Sequence, residues 1–140
     1  MKADRYVLDT SALFSFMEDE PGSAIVEQIL NDPKSSVLIP WPVLFEVYYA
    51  TRRRKGEKEA DRRYALVKEL PAEIVWAFDE PRLLAAARIK ARFPLSFADA
   101  IIAATAEREC AVLVHKDPEF DALEGTVRLR ALPYKGRHNT

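Results

Sequence analysis

The stretch Tyr6-Val7-Leu8-Asp9-Thr10-Ser11-Ala12-Leu13 decides how the rest of the chain is read. Tyr6 to Leu8 are apolar strand formers without alternation, which suits a strand buried on both faces of a parallel sheet. The run stops at Asp9, and Thr10 and Ser11 open a helix that continues through Ala12, Leu13, Phe14 and Phe16. In open α/β sheets, the carboxyl end of a buried strand is where ligands bind. Asp9 therefore reads either as a ligand-binding acid or as the cap of the next helix, and this stretch leaves both open.

Outward from there, strands and helices alternate. A short helix from Ser11 to Glu18 stops at Asp19-Glu20-Pro21-Gly22, and Pro21 is placed to open a second helix through Ile25, Val26, Ile29 and Leu30. Val37 to Ile39 is a second buried strand, followed by a helix from Val43 to Lys55 and a charged helix from Glu57 to Leu70. Ile74 to Phe78 reads as strand three, and Asp79-Glu80-Pro81 starts a helix through Ile89. Ser96 caps a helix from Phe97 to Glu109. Ala111 to Val114 is strand four, and Thr126 to Leu132 a fifth at an edge. This alternation predicts an α/β fold, a three-layer α/β/α sandwich with a mainly parallel central sheet. Residues 1–133 read as one domain and 134–140 as a flexible tail.

At 140 residues, 49% of them apolar, the chain is long enough for a sheet covered on both faces. Its formal charge of −1 offers no overall basic field for nucleic acid. Bound cations can supply positive charge instead. The single cysteine, Cys110, excludes an internal disulfide and is expected to be a buried, inert thiol. No amino-terminal signal segment and no bilayer-length apolar run is legible, so a soluble, cytoplasmic protein with no membrane association is expected.

Acids stand where acids are costly. Glu46 lies in Val43-Leu44-Phe45-Glu46-Val47-Tyr48-Tyr49-Ala50, a helical segment otherwise apolar all round. Its possible cationic partners, Arg53 and Arg54, are off the i+3 and i+4 spacing that pairs well. Asp99 stands near the start of Phe97-Ala98-Asp99-Ala100-Ile101-Ile102, where Ser96 three residues earlier forms a near-capping box. Asp117, in Val114-His115-Lys116-Asp117-Pro118-Glu119-Phe120, repeats the strand–acid–helix order of Asp9. Two strand ends and two helices thus each present one acid to what a parallel layer makes a single edge. Oxygen ligands without His or Cys select Mg²⁺ or Mn²⁺, which activate water for phosphodiester hydrolysis. Ser11 either orients the Asp9 carboxylate or caps the helix.

With those residues in hand, the chain resembles the PIN-domain ribonucleases, in the form of the VapC toxins of bacterial and archaeal toxin–antitoxin pairs. The matching motifs are VLDTSAL at Val7 to Leu13, FEVYYA at Phe45 to Ala50, SFADAIIAATA at Ser96 to Ala106 and VLVHKDPEF at Val112 to Phe120. The resemblance implies a Mg²⁺- or Mn²⁺-dependent site of Asp9, Glu46, Asp99 and Asp117 that cleaves RNA. It also implies a homodimer and a cognate antitoxin that lays a peptide over the site. His115 departs from the pattern, since many relatives carry Thr or Ser two residues before the fourth acid. That departure leaves room for a catalytically silent PIN-like interaction module. A phosphoacceptor receiver domain fits less well, because Pro40 to Ala50 offers a helix and Glu46 where an acceptor Asp would stand. The basic residues Arg52 to Lys55, Lys58, Arg62 and Arg63, with Arg88, Lys90 and Arg92, read either as solvated helix faces or as phosphate contacts.

Overall fold

In the computed structural model, which describes residues 4–133, a five-stranded parallel sheet is covered by helices on both faces. The elements run β1 Arg5–Leu8, α1 Thr10–Met17, α2 Ser23–Asn31, β2 Ser36–Pro40, α3 Trp41–Lys55 and α4 Glu57–Glu69. They continue with β3 Glu73–Val75, α5 Glu80–Arg92, α6 Phe97–Arg108, β4 Val112–His115, a 3-10 helix Pro118–Leu123 and β5 Leu129–Ala131. The expected tail from Tyr134, and His138 with it, lies outside the described residues. Among the described residues, no helix is long and apolar enough to cross a membrane.

Strand order is β3-β2-β1-β4-β5. The chain steps outward from β1 to β2 and β3, then returns past β1 to lay down β4 and step the other way to β5. The order therefore reverses between β1 and β4, whose registers pair Val7 with Leu113 and Leu8 with Val114. At such a switch point the connections leaving neighbouring strands diverge and open a crevice at the strands' carboxyl ends. The ladder runs one step past β1, because the Asp9 N–H donates to the Val114 carbonyl at 3.1 Å.

The central strands justify their apolar runs. Val7, Leu8, Leu113 and Val114 are completely buried, as expected for strands covered on both faces. Helix α6 is buried through Ala100–Ala106, a stretch rich in alanine that brings its backbone close to the sheet. Boundaries differ from expectation where turn chemistry prevails. Pro21 sits in a turn rather than opening a helix, and α2 starts at Ser23 behind Gly22 in the left-handed region. Strand three ends at Val75, leaving Trp76 exposed, while Phe78 packs edge-on against Trp41 at 6.0 Å. The helix expected after Asp117 is a 3-10 helix.

Two expectations about side chains are corrected or narrowed. Cys110 is exposed, not buried. It follows α6 with a positive φ of 51°, in a turn that ends the helix and so carries it off the packed face. Four of the basic residues beside α3 and α4 find partners within the chain. Arg52 pairs with Glu57, Arg54 with Glu18, and Arg62 and Arg63 with Glu59. Arg63, only 4% exposed, also reaches Glu18 at 3.7 Å and Thr51 at 3.5 Å, fastening α4 to α3 and α1.

Removing a side chain from the doubly covered layer should leave a cavity. Leu113→Ala is expected to cost about 2–5 kcal/mol, read as a lower urea midpoint at unchanged slope. Phe45→Ala, at a residue 65% exposed, should change stability by less than about 0.5 kcal/mol. Equal losses in the two variants would contradict this packing.

Candidate active site

Asp9 ends β1 and caps α1, so both readings of it are realised in one residue. The residue is 3% exposed. It accepts the Ala12 N–H at 2.7 Å and the Ser11 hydroxyl, which lies 2.8 Å from both oxygens. Ser11 in turn accepts the Lys116 backbone N–H at 2.9 Å. One hydroxyl therefore joins the end of β1 to the loop that follows β4.

Glu46 projects from α3 and is half-buried, more accessible than the apolar run around it suggests. The Thr10 hydroxyl donates to Glu46 Oε1 at 2.5 Å. Arg54, one of the cations expected as a rival partner, turns to Glu18 instead. Asp99 stands in the first turn of α6, where its backbone N–H donates to Ser96 Oγ at 3.1 Å. Its carboxylate remains available to the crevice. Asp117 follows β4 and accepts the Glu119 N–H at 2.9 Å, capping the 3-10 helix.

Of the four expected ligands, Asp99 and Asp117 come together, joined by Glu119, while Asp9 and Glu46 lie outside that group of three and act on it through charge repulsion. Asp99, Asp117 and Glu119 present carboxylate oxygens that lie within 4.8 Å of one another. Asp9 feels the negative charge of Asp99 and Asp117, and Asp99 that of Glu46, Asp117 and Glu119. Burial, the largest cause, pushes the Asp9 carboxyl up to about 7 despite its hydrogen bonds to Ala12 and Ser11. Burial and then repulsion by Glu46 and Asp117 push Asp99 up to about 6. Both groups resist ionisation chiefly because they are buried, and the neighbouring carboxylates add to the cost. A divalent ion would relieve that repulsion, and an all-oxygen donor set suits Mg²⁺ or Mn²⁺.

The model of the family described as "PIN domain" matches residues 6–125. The chain belongs to the PIN domain family. No curated protein matches the sequence. Among solved structures, the chain is similar to VapBC2 from Rickettsia felis bound to a promoter DNA fragment, at 19% identity and a TM-score of 0.75, covering 92% of this chain and 99% of that one. VapC20 from Mycobacterium tuberculosis, a sarcin-ricin loop cleaving toxin, aligns at 21% identity and 0.68, over 89% and 98%. VapBC-1 from nontypeable Haemophilus influenzae aligns at 18% and 0.71, over 91% and 97%. At these identities the likeness is one of fold.

Within this PIN fold, three participants escape the sequence reading. Glu119 joins the cluster because the tight turn after Asp117 brings the acid two residues on back beside it. The repeated acid in Asp117-Pro118-Glu119 was the available signal, though it reads equally as a helix-opening residue. Thr10 and Lys116 reveal their contacts only in three dimensions. His115 ends β4 with 1% exposure, its ring edge-on to Phe120 at 5.4 Å. It is a strand-end residue packed into the core.

The raised Asp9 pKa has a consequence for stability. Folded chains keep the Asp9 proton up to about pH 7, whereas an unfolded aspartate releases it near 3.8. Between those values the folded state binds more protons, so the stabilisation is complete below the lower pH and is lost as pH rises through the upper one. In EDTA, the stability of wild type relative to Asp9→Asn should fall with rising pH across that window, by about 1.4 kcal/mol per unit. Parallel pH profiles from chemical denaturation would refute it.

Proposed function

We propose that this PIN protein is a Mg²⁺- or Mn²⁺-dependent endoribonuclease, acting as the cytoplasmic toxin of a toxin–antitoxin pair. Asp9, Glu46, Asp99 and Asp117 would hold the metal, with Glu119 as an additional carboxylate and Ser11 orienting Asp9. What supports this reading is the cluster of Asp99, Asp117 and Glu119, whose carboxylate oxygens lie within 4.8 Å of one another, with Asp9 and Glu46 near enough to add repulsion and Asp9 and Asp99 pushed well above the carboxylate range. Such a concentration of unneutralised charge is costly for folding and points to a site built for a cation.

A bound divalent ion supplies charge neutralisation at the phosphate and a water activated for attack. The chain's own residues do the rest. Ser11 and the Ala12 N–H fix the rotamer of Asp9, and Thr10 fixes Glu46. The first turn of α6 presents Asp99 from a rigid, buried helix. With no protein cation in this set, metal affinity should follow the ionised fraction of Asp9 and Asp99, strengthening as pH rises through about 6 to 7.

The partners follow from the same reading: RNA as substrate, a cognate antitoxin protein as inhibitor, and a homodimer as the toxin's form. Similar chains have been solved within VapBC toxin–antitoxin assemblies, which supports the antitoxin.

Purified protein should cleave RNA with Mn²⁺ or Mg²⁺, lose the activity in EDTA and recover it on adding metal. Asp99→Asn should reduce cleavage at least about 100-fold, with its melting temperature unchanged or raised, since the substitution removes a repelled charge. Metal-independent cleavage, or full activity in Asp99→Asn, would overturn the assignment. A silent interaction module would instead bind no divalent ion at millimolar concentration.

A further inference from the structure

Lys116 stands immediately before Asp117, yet its ammonium does not face the acids. The side chain folds away over α1, only 10% exposed. Its Nζ donates to Ser15 Oγ at 3.0 Å and to the Pro21 carbonyl at 2.7 Å, with Glu20 at 3.8 Å. A cation so far removed from water is costly unless hydrogen-bonded, and an exposed lysine would serve solubility as well. The position therefore asks for a role.

The receiving side is rigid. Ser15 is completely buried in α1. The turn beyond it is fastened by Glu20 N–H to the Ser15 carbonyl and by Ser23 N–H to the Glu20 carbonyl, each at 2.9 Å. Gly22 closes it at a φ of +98°, so near the β5 side that an added Cβ would come within 3.0 Å of Leu132 Cβ. Lys116 thus ties the loop after β4 to a fixed corner of the molecule by its side chain. By its backbone it ties the same loop to Ser11, and through Ser11 to Asp9.

We propose that Lys116 is a positioning residue: a strut that holds the loop carrying Asp117 and Glu119 at the spacing from Asp9 and Asp99 that a divalent cation requires. The proposal rests on the metal-site reading above and deepens it. It makes a prediction opposite in sign to simple electrostatics. Removing a positive charge near an acidic crevice should tighten cation binding, whereas removing a strut should weaken it.

The test compares full-length wild type, Lys116→Met and Lys116→Arg. Calorimetry with Mn²⁺ should show affinity about tenfold weaker in Lys116→Met, with partial recovery in Lys116→Arg. Hydrogen exchange of the metal-free protein should show faster exchange across residues 116–119 in Lys116→Met and unchanged protection in β1. In cleavage of a single-stranded RNA oligonucleotide, kcat should fall while KM holds. Should Lys116→Met fail to fold, Ser15→Ala, which removes one acceptor and keeps the charge, should weaken Mn²⁺ binding in the same direction by a smaller factor. Affinity equal to or tighter than wild type, in whichever variant folds, overturns the strut alone. Absence of Mn²⁺ binding by the wild type overturns the metal-site reading and the strut with it.

Discussion

A carboxylate sealed at the end of the central strand is the constraint around which this molecule is arranged. Asp9 is 3% exposed and is satisfied by one hydroxyl and one backbone N–H rather than by a cation. Those hydrogen bonds favour the charged form, and burial outweighs them, which is why the proton is held up to about 7. Its neighbours add to the imbalance. Asp99 and Asp117 repel it, and Glu46 and Asp117 repel Asp99. Structural acids in proteins ordinarily sit beside Arg or Lys, and this chain does that elsewhere, with Arg52, Arg62 and Arg63 all paired to glutamates. Among the described residues, no Arg or Lys forms an ion pair with Asp9, Glu46, Asp99 or Asp117.

The sheet makes this arrangement possible at small cost to the core. Because the order turns back between β1 and β4, the segments leaving those two strands diverge, and acids at both strand ends face the same gap. Helix α6 approaches this layer closely because its buried face is mostly alanine, and its first turn carries Asp99 to the rim. Helix α3 supplies Glu46 one residue beyond the exposed Phe45, held from across the crevice by Thr10. Each acid is thus delivered by an element anchored through buried residues, Val43, Leu44 and Val47 in α3, Ala100 to Ala106 in α6 and Phe120 and Leu123 after β4, so the spacing of the charges inherits the rigidity of the core.

The hydroxyls link the acids together. Ser11 donates to Asp9 and accepts from Lys116, so the ends of two neighbouring strands are joined by a single Oγ. Thr10 does the corresponding work for Glu46. Consecutive residues of one helix turn thus orient two acids that lie 37 positions apart in the chain. A site that must hold like charges close together needs such neutral donors, since each orients a carboxylate without neutralising it.

Much of this is written in local sequence, and the reason is that its signals are local. Apolar runs followed by an acid, directly at Asp9 and after His115 and Lys116 at Asp117, specify buried strands followed by capped turns. Glu46 stands out because a charge inside an apolar helix conflicts with its surroundings, and the elements alternate in a way that admits a parallel sheet. Cys110 departs from the buried thiol that the helix's composition suggests, because its own left-handed backbone at the end of α6 turns the side chain outward. Glu119, Thr10 and Lys116 were invisible for a related reason: their partners are chosen by a tight turn or by contacts across 36 and about 100 positions of chain. Composition and periodicity determine which elements form and which faces are buried. Only the tertiary structure decides which polar groups meet, because hydrogen bonds and charge repulsion depend on distances that the fold alone sets.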